Sequence, residues 1–148
     1  MAQIEIPLIN RILHTTGDKV LQARLILEVR NNRGLWVPFE FVVDPGTEMT
    51  TMSAEDARRR DLPIPKQPVR GLALRSQEVR RGLLRVRIPG LSATEYEFPC
   101  YFLGDPNIPT TDPKNLLGLT GVIDHIRIIF DGTRSLSAPY GLLILETM

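Results

Sequence analysis

Along most of this chain apolar side chains recur at every second position, in runs that stop at proline, glycine or asparagine. That rhythm favours short strands over long helices. Leu21, Ala23, Leu25, Leu27 and Val29 fall on one face of a run that ends at Asn31-Asn32-Arg33-Gly34. Phe39, Phe41 and Val43 alternate with Glu40 and Val42 on the return, which predicts a hairpin with one buried face. Leu84, Val86 and Ile88 alternate with Arg85 and Arg87, and Tyr96, Phe98, Cys100 and Phe102 repeat the pattern. Ile4, Ile6 and Leu8 predict an N-terminal strand, with two more over residues 126–130 and 141–146. The 12 prolines among 148 residues, about 8% against a usual ~5%, each withhold an N–H from any helix interior. Pro106, Pro109 and Pro113 mark residues 104–113 as a loop, and Pro63, Pro65 and Pro68 a stiff connection.

One short helix is expected where Ser53-Ala54-Glu55-Asp56 reads as a capping box ahead of Ala57-Arg58-Arg59-Arg60. Thr120 is a candidate cap for a second helical turn over residues 122–125. The expected class is therefore all-β, a barrel or folded sheet with one or two short helices. With 43% hydrophobic residues, residues 1–148 fit one domain.

Composition removes several functions. The formal charge of +1 gives no global field for nucleic acid or an anionic membrane. The arginines at 58–60 and between 70 and 87 are interrupted by acids or apolar residues, so each cluster reads as a solvated face. The single cysteine, Cys100, excludes an internal disulfide and reads as a small core residue. With only His14 and His125, neither metal-ligand spacing nor a Ser-His-Asp triad is present, and no metal or cofactor is expected. The N-terminus has no signal-peptide pattern and no apolar run reaches the ~20 residues of a membrane span; a soluble, cytoplasmic protein is the expectation. Met49, Met52 and Trp36 read as packing residues, Glu48 as solvated and His125 as a surface or capping residue.

The stretch with chemistry in it is Val42-Val43-Asp44-Pro45-Gly46-Thr47. A core strand ends on a carboxylate, Pro45 holds Asp44 extended, and Gly46 follows as a residue able to take φ > 0. A charge at the tip of a buried strand is costly unless it has work to do. Taken alone, Asp-Pro-Gly also describes an ordinary turn.

The order of motifs goes further. A hairpin leads into an Asp-x-Gly turn, then a short helix, a long hairpin over residues 69–88 and a strand. Leu116-Leu117-Gly118 follows, and then a strand ending in Phe130-Asp131-Gly132. Over residues 20–132 this resembles the retropepsin-like aspartic proteases, in particular the bacterial single-domain members. The resemblance implies that Asp44 is catalytic and that a homodimer forms, each chain giving one Asp44 to a pair that shares a proton and activates water against a peptide or protein substrate. Gly46 and Thr47 would contact substrate beside Asp44. The long hairpin corresponds to the family's flap. From the residues alone its bend falls at 71–73 or 75–78, and the resemblance places the tip, with substrate contacts, at Gly71, Leu72 and Ala73. Leu116, Leu117 and Gly118 would pack beneath the Asp loop. The terminal runs would pair either between subunits or as edge strands within one chain. One position departs from the family: the Thr or Ser after Asp is Pro45, which has no hydroxyl to tie two loops together, leaving Thr47 or Thr50 as substitutes. Three readings follow: a homodimeric aspartic endopeptidase, a non-cleaving dimerisation or peptide-binding module of the same fold, and an unrelated small β-barrel.

Overall fold

The computed structural model describes residues 2–111 and 113–148. Met1 and Asp112, the latter within the expected loop at 104–113, lie outside the described residues. The elements in chain order are β1 (Gln3–Pro7), β2 (Ile9–Ile12), β3 (Lys19–Gln22), β4 (Arg24–Arg30), β5 (Trp36–Val43), β6 (Thr50–Ser53) and α1 (Ala54–Arg59). After the helix come β7 (Ala73–Leu74), β8 (Gln77–Arg87), β9 (Tyr96–Leu103), β10 (Leu116–Leu117), β11 (Ile126–Asp131) and β12 (Leu142–Thr147).

The main sheet runs β4-β5-β10-β6-β9-β8-β7, and β4 also pairs with β8. That last pairing closes six strands into a barrel and removes their exposed edges. Period-two patterning makes the closure favourable. Leu25, Leu27 and Val29 of β4 and Phe39, Phe41 and Val43 of β5 all point inward, with Leu84 and Val86 of β8 and Phe98, Cys100 and Phe102 of β9. Each fully buried phenylalanine contributes roughly 1.5–3 kcal/mol relative to exposure. β9 accordingly alternates strictly, with Glu97 exposed and Pro99 and Tyr101 partly so.

The expected helix is α1. Ser53 caps it, its hydroxyl accepting the Asp56 N–H at 3.2 Å. Glu55 and Asp56 sit in the first turn and Arg58 and Arg59 in the last, each complementing the helix dipole. Ala54 and Ala57 are buried against the barrel. The helix stops at Arg60 because Asp61 takes φ 63° and Pro63 follows.

Four expectations change or resolve. The alternating run from Leu21 is broken at Ala23 into β3 and β4, and β3 pairs with β2 instead (Asn10↔Leu21). Leu21 is thereby 54% exposed while Ala23 stays buried. The second helical turn does not form. Residues 120–125 make a turn, with the Leu119 carbonyl accepting from Val122 and Ile123, and Gly121 at φ 74° interrupts helical propagation. A Cβ at Gly121 would lie 2.5 Å from Pro99 Cδ, so only glycine fits. The bend of the long hairpin falls at Arg75 and Ser76, both at positive φ, between Leu74 and Gln77. Finally, β1 pairs antiparallel with β12 inside one chain, and β12 with β11. The pairing of the terminal runs is therefore within one chain.

Candidate active site

Asp44 follows the last residue of β5, at the mouth of an arrangement that no local sequence rule supplies. β10 inserts between β5 and β6, parallel to β5 (Leu116↔Val42, Leu117↔Val43) and antiparallel to β6 (Leu116↔Thr51). The Asp44 N–H donates to the Leu117 carbonyl at 3.1 Å, and the Thr47 N–H donates to the Asp44 carbonyl at 3.1 Å. Residues 44–47 thus form a hydrogen-bonded β-turn with Pro45 at its second position, where a fixed φ near −65° suits it.

The carboxylate is held at both oxygens. Oδ1 accepts the Gly46 N–H at 2.9 Å and Oδ2 accepts the Thr47 hydroxyl at 2.8 Å. Gly46 is not among the glycines at positive φ, so its expected use there is corrected. A Cβ at Gly46 would stand 3.3 Å from Asp44 Oδ1. Glycine at this position leaves the carboxylate room and a donor rather than an unusual backbone angle. Asp44 is half-buried and Pro45 and Gly46 are exposed, so the acid faces outward from a rigid base.

That base comes from residues about seventy positions downstream. The Gly118 N–H donates to the hydroxyl of Thr50 at 3.1 Å, and Thr50 is fully buried. Leu119 N–H bridges the carbonyls of Thr47 and Glu48 at 3.1 Å each, and Thr120 N–H reaches the Glu48 carbonyl at 2.8 Å. A Cβ at Gly118 would fall 2.5 Å from the Met49 carbonyl carbon and 2.8 Å from Thr50 N. The backbones touch, and only glycine permits it.

Beside Asp44 lies a cleft of about 440 Å³ whose walls include Leu8, Val20, Leu21, Pro45 and Phe130. The two hydrogen bonds fix the orientation of the carboxylate at the edge of this wall. Two other reactive side chains stand apart from this cleft. Cys100 is fully buried and burial pushes its thiol far up, so no thiolate is available. His125 is exposed and stands beside the Tyr96 ring, lining a different cleft with Ala2 and Thr147. Among the described residues no group of three His, Cys, Asp or Glu side chains is placed to hold a metal ion, and no helix is long and apolar enough to cross a membrane.

Of the residues the sequence singled out, Asp44, Gly46 and Thr47 come together, with Leu117 and Gly118 packed beneath them. Gly71, Leu72 and Ala73 do not join them. They lie on the ascending arm, before the true tip at Arg75-Ser76, and none lines the cleft beside Asp44. Sequence reasoning missed Val20, Leu21 and Phe130 as neighbours of Asp44. The alternation through Ala23 carries no sign that β3 changes partner, so no local signal pointed to them.

No family model and no curated protein matches this chain. Among solved structures, the crystal structure of a retropepsin-like aspartic protease from Rickettsia conorii superposes with a TM-score of 0.58 at 19% identity, covering 97% of this chain and 91% of that one. At that identity the likeness speaks for architecture alone. Together with the closed barrel and the β10 insertion, it gives the chain a retropepsin-like, all-β fold.

Proposed function

We propose that the chain is an aspartic endopeptidase whose active site is completed by a second copy of itself. The observation that carries this reading is Asp44: a solvent-facing carboxylate at the end of a barrel strand, fixed through both oxygens on a loop clamped by Thr50 and Gly118. One such acid per chain cannot share a proton, so two chains must bring their Asp44 residues together. Two carboxylates at about 3 Å hold a single proton between them. The ionised member takes a proton from water, the oxygen attacks the peptide carbonyl, and the protonated member donates toward the carbonyl oxygen. Collapse of the tetrahedral species returns a proton to the leaving amine and breaks the C–N bond.

The terminal strands β1 and β12 are already paired to each other. The second chain would therefore cover the Asp44 face and the neighbouring β2–β3 ribbon. A two-stranded ribbon is marginal in water by itself, and this one exposes Ile9, Ile12 and Leu21. Thr47 spends its hydroxyl proton on its own Asp44. Thr50 accepts from Gly118 and is fully buried inside its own chain, so neither hydroxyl is placed to replace the one missing at position 45. Gly46 and Thr47 would flank the scissile bond, and the hairpin over residues 71–78 would cover the substrate, led by Arg75 and Ser76.

A second reading, a non-cleaving peptide-binding or dimerisation module, is favoured by Pro45, which supplies neither a hydroxyl nor an N–H to tie two loops. Incubation with a diverse peptide mixture between about pH 4 and 7 separates the two. The endopeptidase reading expects cleavage by the wild type, none by Asp44→Asn, and a dimeric mass for both. A dimer that cuts nothing across that range makes the module the correct reading.

A further inference from the structure

A groove larger than the cleft beside Asp44 lies elsewhere on the molecule. It has a volume of about 970 Å³ and runs between residues 62–66 and the outer face of β8. Its floor is apolar: Leu62 is buried, Ile64 and Pro65 are partly so, and Leu83 is 50% exposed. On the face of β8 opposite Arg81, Leu83 and Arg85, a Cβ at Gly82 would come 3.2 Å from Pro65 Cδ and 2.8 Å from the Phe102 ring. Glycine in mid-strand here admits close approach of a second segment, and the proline-bearing strap forms one wall.

The rim is basic, with five cationic side chains against two carboxylates. Two of the cations are committed: Arg58 donates to the Pro106 carbonyl, and Arg80 to Glu78 and the Gly104 carbonyl. Asp61 is engaged by Asn32 and Arg33. Glu97 faces Arg85 in the strand register without pairing to it. Among the described residues Lys66, Arg81 and Arg85 make no ion pair, and all three are exposed. Arg81, Leu83 and Arg85 share one face at alternate positions, a cation–apolar–cation ladder about 13 Å long at strand rise.

We propose that this groove binds an extended acidic peptide, its carboxylates flanking an apolar side chain at the same two-residue period. An extended chain presents residues i, i+2 and i+4 on one face, which meets Arg81, Leu83 and Arg85 in turn. Nucleic acid fits less well. The groove lining has no phenylalanine, tyrosine or tryptophan on which bases could stack, and the apolar floor rewards a side chain rather than a phosphate. The site is independent of Asp44 and requires no cleavage; on a protease it would hold an acidic segment of a substrate or partner away from the reacting carboxylates.

The test is fluorescence anisotropy with a fluorescein-labelled peptide in which glutamates flank a leucine at alternate positions. The wild type binds it, and more weakly as salt rises. The peptide with glutamine for glutamate binds at least about tenfold more weakly, and so does Arg81→Glu/Arg85→Glu for the parent peptide. Both arginines are exposed, so the double variant keeps its melting temperature. Leu83→Ser weakens binding with the charges intact. Asp44→Asn binds as the wild type does, whatever the outcome of the cleavage experiment. Failure of the wild type to bind overturns the proposal. So does equal binding of the glutamine peptide or of the double variant, or displacement of the peptide by single-stranded DNA at lower concentration than by unlabelled peptide.

Discussion

The Asp44 loop and the tip of the long hairpin are both turns between strands, yet they are held in opposite ways. The loop at 44–50 is clamped from a distance: Leu117, Gly118, Leu119 and Thr120 all bond to it through their backbones. The hairpin tip is held mainly by near neighbours, two β7–β8 pairings and the Val69 N–H bond to the Val79 carbonyl, with a single bond from farther along the chain, Gly104 N–H to the Glu78 carbonyl. Its two central residues, Arg75 and Ser76, carry side chains at φ 52° and 63°, a geometry that favours Asn and Gly. A catalytic carboxylate needs fixed geometry, whereas a covering hairpin has to open. The difference in anchoring matches that division.

The largest test of the contrast is Gly118→Val. With its Cβ 2.5 Å from the Met49 carbonyl carbon, the backbone clamp must part, costing about 3 kcal/mol or more. Chemical denaturation measures this, and a loss under about 1 kcal/mol would show that the loop tolerates separation from residues 117–120. Next in size is Thr50→Val, nearly isosteric, which leaves the buried Gly118 N–H without a partner. A loss of about 1–3 kcal/mol is expected, with peptide cleavage falling alongside it. Unchanged stability would mean that the hydroxyl is not part of the clamp. The smallest effect belongs to the hairpin. Arg75→Asn/Ser76→Gly relieves two side chains at positive φ and gains about 0.5 kcal/mol. That gain reads as a roughly two- to threefold slowing of amide exchange in β7 and the start of β8. Faster exchange would contradict the turn geometry.

The legible part of the molecule is what two-residue periodicity controls. Phe39, Phe41 and Val43 had to share a face, as did Leu84, Val86 and Ile88, and Tyr96 to Phe102 at every second residue. The cap at Ser53 was readable because a hydroxyl three residues ahead of a carboxylate satisfies a helix N-terminus by local bonding. The motif order around Asp44 and Leu116-Leu117-Gly118 was readable by resemblance. Of the two bends the residues left open, 71–73 and 75–78, the family resemblance selected the first, whereas the chain bends at Arg75 and Ser76. The break at Ala23 was invisible because Leu21 and Leu25 keep the same parity on either side of it.

By itself, then, the sequence determined the longer strands, their inner faces, the helix and the carboxylate at the end of β5, since each follows from neighbours a few residues apart, while the short strands β2, β6 and β10 carried no such signal. Only the tertiary structure decided that β10 slides between β5 and β6, that β4 meets β8 to close the barrel, and that β1 pairs with β12. The same holds for a proline strap resting on Gly82 to frame a basic groove. These pairings join segments from about twenty to over a hundred residues apart. Their free energy comes from burying faces against one another and satisfying backbone groups across the gap, and no local pattern encodes which faces will meet.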